Sequence, residues 1–228
     1  MKKIFHTNYS YSDRKSKATY VFDKYSSLLS VGSTLDVGAD SMFLKPLIES
    51  SGGHYFGIGF GDGIDCQLDL ENFPYPFDSS SFDTVICLDV LEHLEYIHDA
   101  FDELCRMSSN HVIISLPNPF AGAFGVLRGN NYKDDESIKF YGLPLERPSD
   151  RHRWFFNEFE AVEFVMHKAE ENNFEVVQCG FKGDDRPLGG RGLSGAFVRF
   201  FLRVLFRQDI DKLGLNHGAS WFVLKKQD

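Results

Sequence analysis

Three side chains able to hold a metal ion or carry a proton stand together at Asp89, Glu92 and His93. Their spacing is i, i+3, i+4, so a helix starting by Asp89 would set all three on one face. Two carboxylates and an imidazole converging there could bind a divalent ion. An imidazole is also a ready proton acceptor near neutral pH. A plainer reading stands beside this one, with Asp89 simply favouring the positive end of a helix. A second candidate base, His152, lies in Arg151-His152-Arg153-Trp154-Phe155-Phe156.

These groups need a scaffold, and the pattern around them supplies one. The apolar run Val85 to Leu88 reads as a buried strand that delivers Asp89, Glu92 and His93 to its carboxyl end, where open α/β sheets place their ligands. Further strands are expected over 34–37, 54–58, 64–68, 111–116, 174–179 and 220–225. Helical spacing appears at Ala18, Val21, Tyr25, Leu28 and Leu29, and again at Leu94, Ile97, Phe101 and Leu104. A short helix is expected within 41–51, starting late or kinked because of Pro46. Asn157 and Glu160 form a capping box for another, with Phe159, Val162, Met166 and Ala169 on one face. Residues 1–12 read as loosely held, and 117–156 as a long loop of the kind that often carries function. Alternating strands and helices imply an α/β fold, with a Rossmann-like, mainly parallel seven-stranded sheet and helices on both faces. The expected organisation is one domain over 1–228, with a substrate-side loop at 117–156 and a cap insertion at 181–217.

Composition narrows the function. The 228 residues are 43% hydrophobic, enough for one sizeable core. The net charge of −9 argues against a general nucleic-acid binder. Four widely spaced cysteines without a CxxC pair read as reduced thiols, and no leader or membrane span is seen, so a cytoplasmic protein is expected.

The stretch from Asp69 (Asp-Leu-Glu-Asn-Phe-Pro-Tyr-Pro-Phe-Asp), followed by Phe82-Asp83 and Leu88-Asp89-Val90-Leu91-Glu92-His93-Leu94, resembles the class I methyltransferases that use S-adenosylmethionine, of the type 11 kind. The resemblance implies that Asp69 receives the adenine amino group, Leu70 offers its amide to the ring, and Leu88 lies near the adenine or the methionine part. It also implies a glycine-rich turn after the first conserved strand, here Asp36-Val37-Gly38-Ala39, with Asp36, Gly38 and Ala39 in the cofactor site. Two positions depart from the family. Asp40 stands where a second glycine is usual, and Gly59 stands where an acid usually grips the ribose, leaving Asp62 as a substitute from a longer loop or Gly59, Gly61 and Gly63 as a plain flexible turn. The set Asp89, Glu92, His93 and His152 resembles the metal ligands of the small-RNA 3′-end methyltransferases, with Asp89 in place of a Glu. There a divalent ion would grip two neighbouring hydroxyls, with His93 or His152 as the catalytic base.

The Arg-His-Arg-Trp-Phe-Phe segment and the acidic chain are similar to methyltransferases of bacterial surface-polysaccharide clusters. That similarity implies O-methylation of a sugar or a glycan-linked small substrate. Rival readings are a ribose 2′-O-methyltransferase acting on RNA ends and a methyltransferase-like binding module that has lost catalysis. Residues 193–206, apolar except for Ser194, Arg199 and Arg203 and the small Gly195 and Ala196, admit three readings. They are an interfacial helix on an anionic membrane, a lid over the site, or a helix packed on the core or on a second subunit in a homodimer. The first would put the protein at the inner membrane surface.

Overall fold

The computed structural model describes residues 3–6, 11, 13–61, 63–127, 146, 151–183, 192–207, 213–215 and 217–227. The elements in chain order are β1 (Lys3–His6), α1 (Arg14–Leu29), β2 (Ser33–Val37), α2 (Lys45–Ser50), β3 (His54–Gly59), β4 (Cys66–Gln67), β5 (Phe82–Leu88), α3 (Ile97–Met107), β6 (Ser108–Pro117), α4 (Pro119–Leu127), α5 (Glu158–Glu171), β7 (Phe174–Lys182), α6 (Leu193–Phe206) and β8 (Ala219–Lys226). The strands form one sheet in the order β1-β7-β8-β6-β5-β2-β3-β4. Every neighbour is parallel except for β8, which runs antiparallel to β6 and β7. The expected seven strands are all present, and β1 adds an eighth at the edge, where 1–12 was expected to be loose. Its partner is β7, more than 170 residues away, with Lys3 opposite Cys179. Local sequence carries no signal for such a pairing.

Alternation along the strands feeds two cores. Val85, Cys87, Val112, Ile114, Phe222 and Leu224 point to the layer of α3 and α5. Ile86, Ile113, Trp221 and Val223 point to the layer holding Val21, Tyr25, Leu29 and Ile48 from α1 and α2. Pro46 occupies the first turn of α2, whose first residue is Lys45, so the helix starts late.

Two local expectations change. Residues 119–127, expected within the long loop, form α4. The buried seam of α5 is Ala161, Val165, Lys168 and Ala169, whereas Phe159 and Met166 are exposed. A lysine holds a seam position because its stem packs inward while its ammonium meets Asp102 at 2.6 Å and Glu171 at 3.0 Å.

Strand order fixes where a ligand can sit. The chain moves outward from β2 to β3 and β4, then returns to the other side of β2 as β5. The carboxyl ends of β2 and β5 therefore flank the point where the winding reverses, the usual crevice of an open α/β sheet.

Candidate active site

Asp89 follows β5 directly and takes a left-handed conformation, φ 57°, which Asp tolerates better than most residues. The chain turns there, passes through a single 3-10 turn at Leu91–His93, and begins α3 only at Ile97. The helix expected to start by Asp89 is therefore absent, and the three side chains do not share one face. Asp89 points instead toward α1 and β6. Its Oδ2 accepts from Lys17 Nζ at 2.6 Å and its Oδ1 from Ser115 Oγ at 2.6 Å. Burial alone would raise this carboxyl. The Lys17 charge and the hydrogen bonds from Lys17 and Ser115 outweigh burial and hold it below the usual range.

The other three residues converge. Glu92 is fully buried. Its Oε1 lies 3.7 Å from His93 Nε2 and 4.0 Å from His152 Nε2. The two imidazoles meet edge to face, centroids 4.5 Å apart. One ligand atom from each of Glu92, His93 and His152 lies within 4.8 Å of the others. Asp89 is outside this group, so the four residues expected to act together do not all converge.

His152 reaches the cluster because its neighbours are pinned to the 3-10 turn. Arg153 N donates to Glu92 O at 2.8 Å, Arg153 Nε to His93 O at 3.0 Å, and Trp154 Nε1 to Leu94 O at 2.7 Å. Sequence reasoning singled out this basic aromatic segment but not the anchoring role of Arg153 and Trp154. It missed Lys17 and Ser115 altogether, since an ion pair across 72 residues leaves no local signal.

The cofactor-side residues are arranged as follows. Gly38 has φ +86°, and a Cβ there would come within 2.3 Å of Val90. Gly59 has φ +146°, and its Cβ would meet Ala39 O at 3.0 Å. The turns after β2 and β3 thus press backbone to backbone, and glycine is the residue that allows it. The N–H groups of Gly38 and Ala39 both donate to Ile58 O, at 2.8 and 2.9 Å. Both amides are thus engaged inside the protein. Asp40 pairs with Arg14, so the residue in place of the second glycine ties down the start of α1. Asp36 accepts from Tyr55 OH at 2.6 Å, and burial pushes its carboxyl up to about 6 against the pull of Tyr55 and Lys17. Leu88 ends β5, partly buried.

Asp69 is exposed beyond β4. Its carboxylate accepts from Glu71 N at 3.1 Å and Asn72 Nδ2 at 3.2 Å, an Asx-type turn. Leu70 is buried, and its carbonyl accepts from Tyr75 OH at 2.9 Å. Asp62 lies outside the described residues.

Residues 54–114 match the family described as "Methyltransferase domain". The match begins after β2 and so leaves out the altered Gly38–Asp40 turn. An Arabidopsis thaliana protein named "Probable pectin methylesterase CGR3" is 26% identical over 117 residues, which is 50% of this chain and 40% of that protein. Three solved structures are similar throughout. A Pyrococcus horikoshii protein aligns with a TM-score of 0.61 at 13% identity, covering 97% of this chain and 94% of its own. An S-adenosylmethionine-dependent methyltransferase from Archaeoglobus fulgidus aligns at 0.59 and 12%, covering 94% and 95%. Magnesium protoporphyrin IX methyltransferase from Synechocystis, with bound S-adenosylhomocysteine, aligns at 0.55 and 13%, covering 93% and 83%. At these identities the likeness is one of fold, the Rossmann-like fold of class I methyltransferases.

Proposed function

We propose that this methyltransferase-fold chain, whose residues 54–114 carry the family match, transfers a methyl group from S-adenosylmethionine to a hydroxyl of a sugar or glycan-linked small substrate. The observation that carries this reading is the convergence of buried Glu92 with His93 and His152 beside the strand-order reversal. An imidazole within about 4 Å of a buried carboxylate is a suitable acceptor for a hydroxyl proton, and the carboxylate's charge favours the imidazolium that results.

On this reading the adenine end of the cofactor meets Asp69 and Leu70. Asp69 is an exposed acceptor for the adenine amino group, and Leu70 follows it. No side chain is available at Gly59 for the ribose hydroxyls, so their recognition falls to other groups. When bound, S-adenosylmethionine supplies an electrophilic methyl on a sulfonium, which leaves by in-line displacement and needs alignment above all. The protein's part is then to hold the acceptor, take its proton on His93 or His152, and keep that imidazole oriented through Glu92. Arg153 and Trp154 fix the approach of His152.

The same three residues would suit a divalent ion, which would orient two neighbouring hydroxyls and lower the pKa of one. This favours a vicinal diol as the acceptor. Sugars and RNA 3′ ends both offer one, and the acidic chain favours the sugar. The name of the Arabidopsis relative concerns pectin, a polysaccharide.

The test is methyl transfer from labelled S-adenosylmethionine to a panel of nucleotide sugars, lipid-linked glycans and short RNAs. Transfer to a carbohydrate hydroxyl is expected. Transfer confined to RNA ends would favour the ribose reading, and transfer to none, with no cofactor binding, would favour a binding module without catalysis.

A further inference from the structure

The connection between β7 and β8 leaves the sheet at Lys182 and re-enters at Ala219. Ala219 lies opposite Pro117, at the carboxyl end of β6. The insertion therefore rises from the same rim that carries the candidate active site. Its base is fixed: Asn118 Nδ2 donates to Leu213 O at 3.0 Å and Gly214 O at 2.9 Å, and His217 Nδ1 meets a Glu158 carboxylate oxygen.

Within it, α6 is not a core helix. Gly195 is buried and Leu202 and Arg199 are half-buried, and these mark the side toward the body. Leu193 is 93% exposed, Phe197 70% and Phe200 67%, with Val198, Phe201, Val204 and Leu205 also exposed. At about 100° per residue these seven side chains span an arc of roughly 160°, centred away from the body. Arg203 borders the arc and Arg207 follows the helix end, both exposed. From residue 186 to 208 the sequence holds five arginines and no Asp, Glu or Lys, in a chain of net charge −9.

We infer that α6 docks flat on an anionic lipid surface, with its apolar arc in the headgroup–acyl boundary and Arg203 and Arg207 among the lipid phosphates. At 14 residues the helix is too short to cross a bilayer. A large apolar face, a cationic border and modest length suit an interfacial position. A second copy meeting it through residues 186–208 would bring the same arginines and, within that stretch, no carboxylate. Docking this way turns the carboxyl rim of the sheet, and Glu92, His93 and His152 with it, toward the membrane side.

Flotation of the full chain with vesicles tests this. Binding is expected to phosphatidylcholine vesicles containing 30% phosphatidylglycerol, and at least about 10-fold less to pure phosphatidylcholine. Phe197→Ser combined with Phe200→Ser should abolish binding with thermal unfolding unchanged, since both sites are exposed. Arg203→Glu should weaken it on the order of 10-fold. Binding that ignores lipid charge, or none to either vesicle, would overturn the inference. So would a dimer in sedimentation velocity that the double variant dissociates, because the arc would then be a subunit interface.

Discussion

Glu92 is the residue on which the site turns. A carboxylate fully removed from solvent, with two imidazoles 3.7 and 4.0 Å away, can polarise either one. Of His152→Ala and His93→Gln, the one that removes the base is expected to lower methyl transfer by about 10²–10⁴-fold, the usual cost of a lost general base, in a single-turnover assay. The histidine that is only a neighbour will show a smaller loss, and equal activity in both variants would remove the base assignment. Asp36 makes a prediction of a different kind. Its folded pKa is raised to about 6 by burial, with Tyr55 and Lys17 opposing. Its contribution to stability is thus present below the unfolded value near 4 and lost as pH rises through 6. Chemical denaturation should therefore show part of the stability lost between pH 4 and pH 7. Asp36→Asn should flatten that part of the profile, and an unchanged profile would refute the assignment. Asp89 shows what residue spacing hides. In the sequence it groups with Glu92 and His93 as metal ligands, but its left-handed backbone turns it to Lys17 and Ser115.

At the scale of elements, the turns after β2, β3 and β5 lock together through glycines. Gly38→Ala would place a methyl 2.3 Å from Val90 at a positive φ. The expected cost is at least about 2 kcal/mol, visible as a lowered unfolding midpoint. A neutral result would mean that the turn is looser than drawn. Periodic elements were legible: α1 by its buried residues Ala18, Val21, Tyr25 and Leu29, α5 by its Asn157–Glu160 capping box, and β5 by its apolar run. Elements that depend on remote partners were not legible. β1 exists through pairing with β7, and α4 lies in a stretch where Gly and Pro mask a helical pattern. The burial of Lys168 was equally hidden, because hydropathy sees its charge and not its stem. For the site, sequence named all three clustered residues, Glu92, His93 and His152, with Asp89 besides, but neither Arg153 as an anchor nor Lys17 as a partner.

The whole molecule divides its surface unevenly. An acidic chain places its arginine-rich, apolar segment on the rim that holds the candidate site, and among the described residues no helix is long and apolar enough to cross a membrane. This combination unites a carbohydrate acceptor and a lipid surface in one account, although each has its own test. The account as a whole depends on the cofactor, because Asp40 and Gly59 stand where the resemblance leads one to expect a second glycine and a ribose-binding acid. The most direct measurement is calorimetric titration of S-adenosylhomocysteine into the full chain and into Asp69→Ala. Micromolar binding, weakened about 10-fold or more by the substitution, is predicted from the loss of a charge-assisted hydrogen bond to the adenine amino group. No heat at millimolar ligand would contradict the methyl-transfer account.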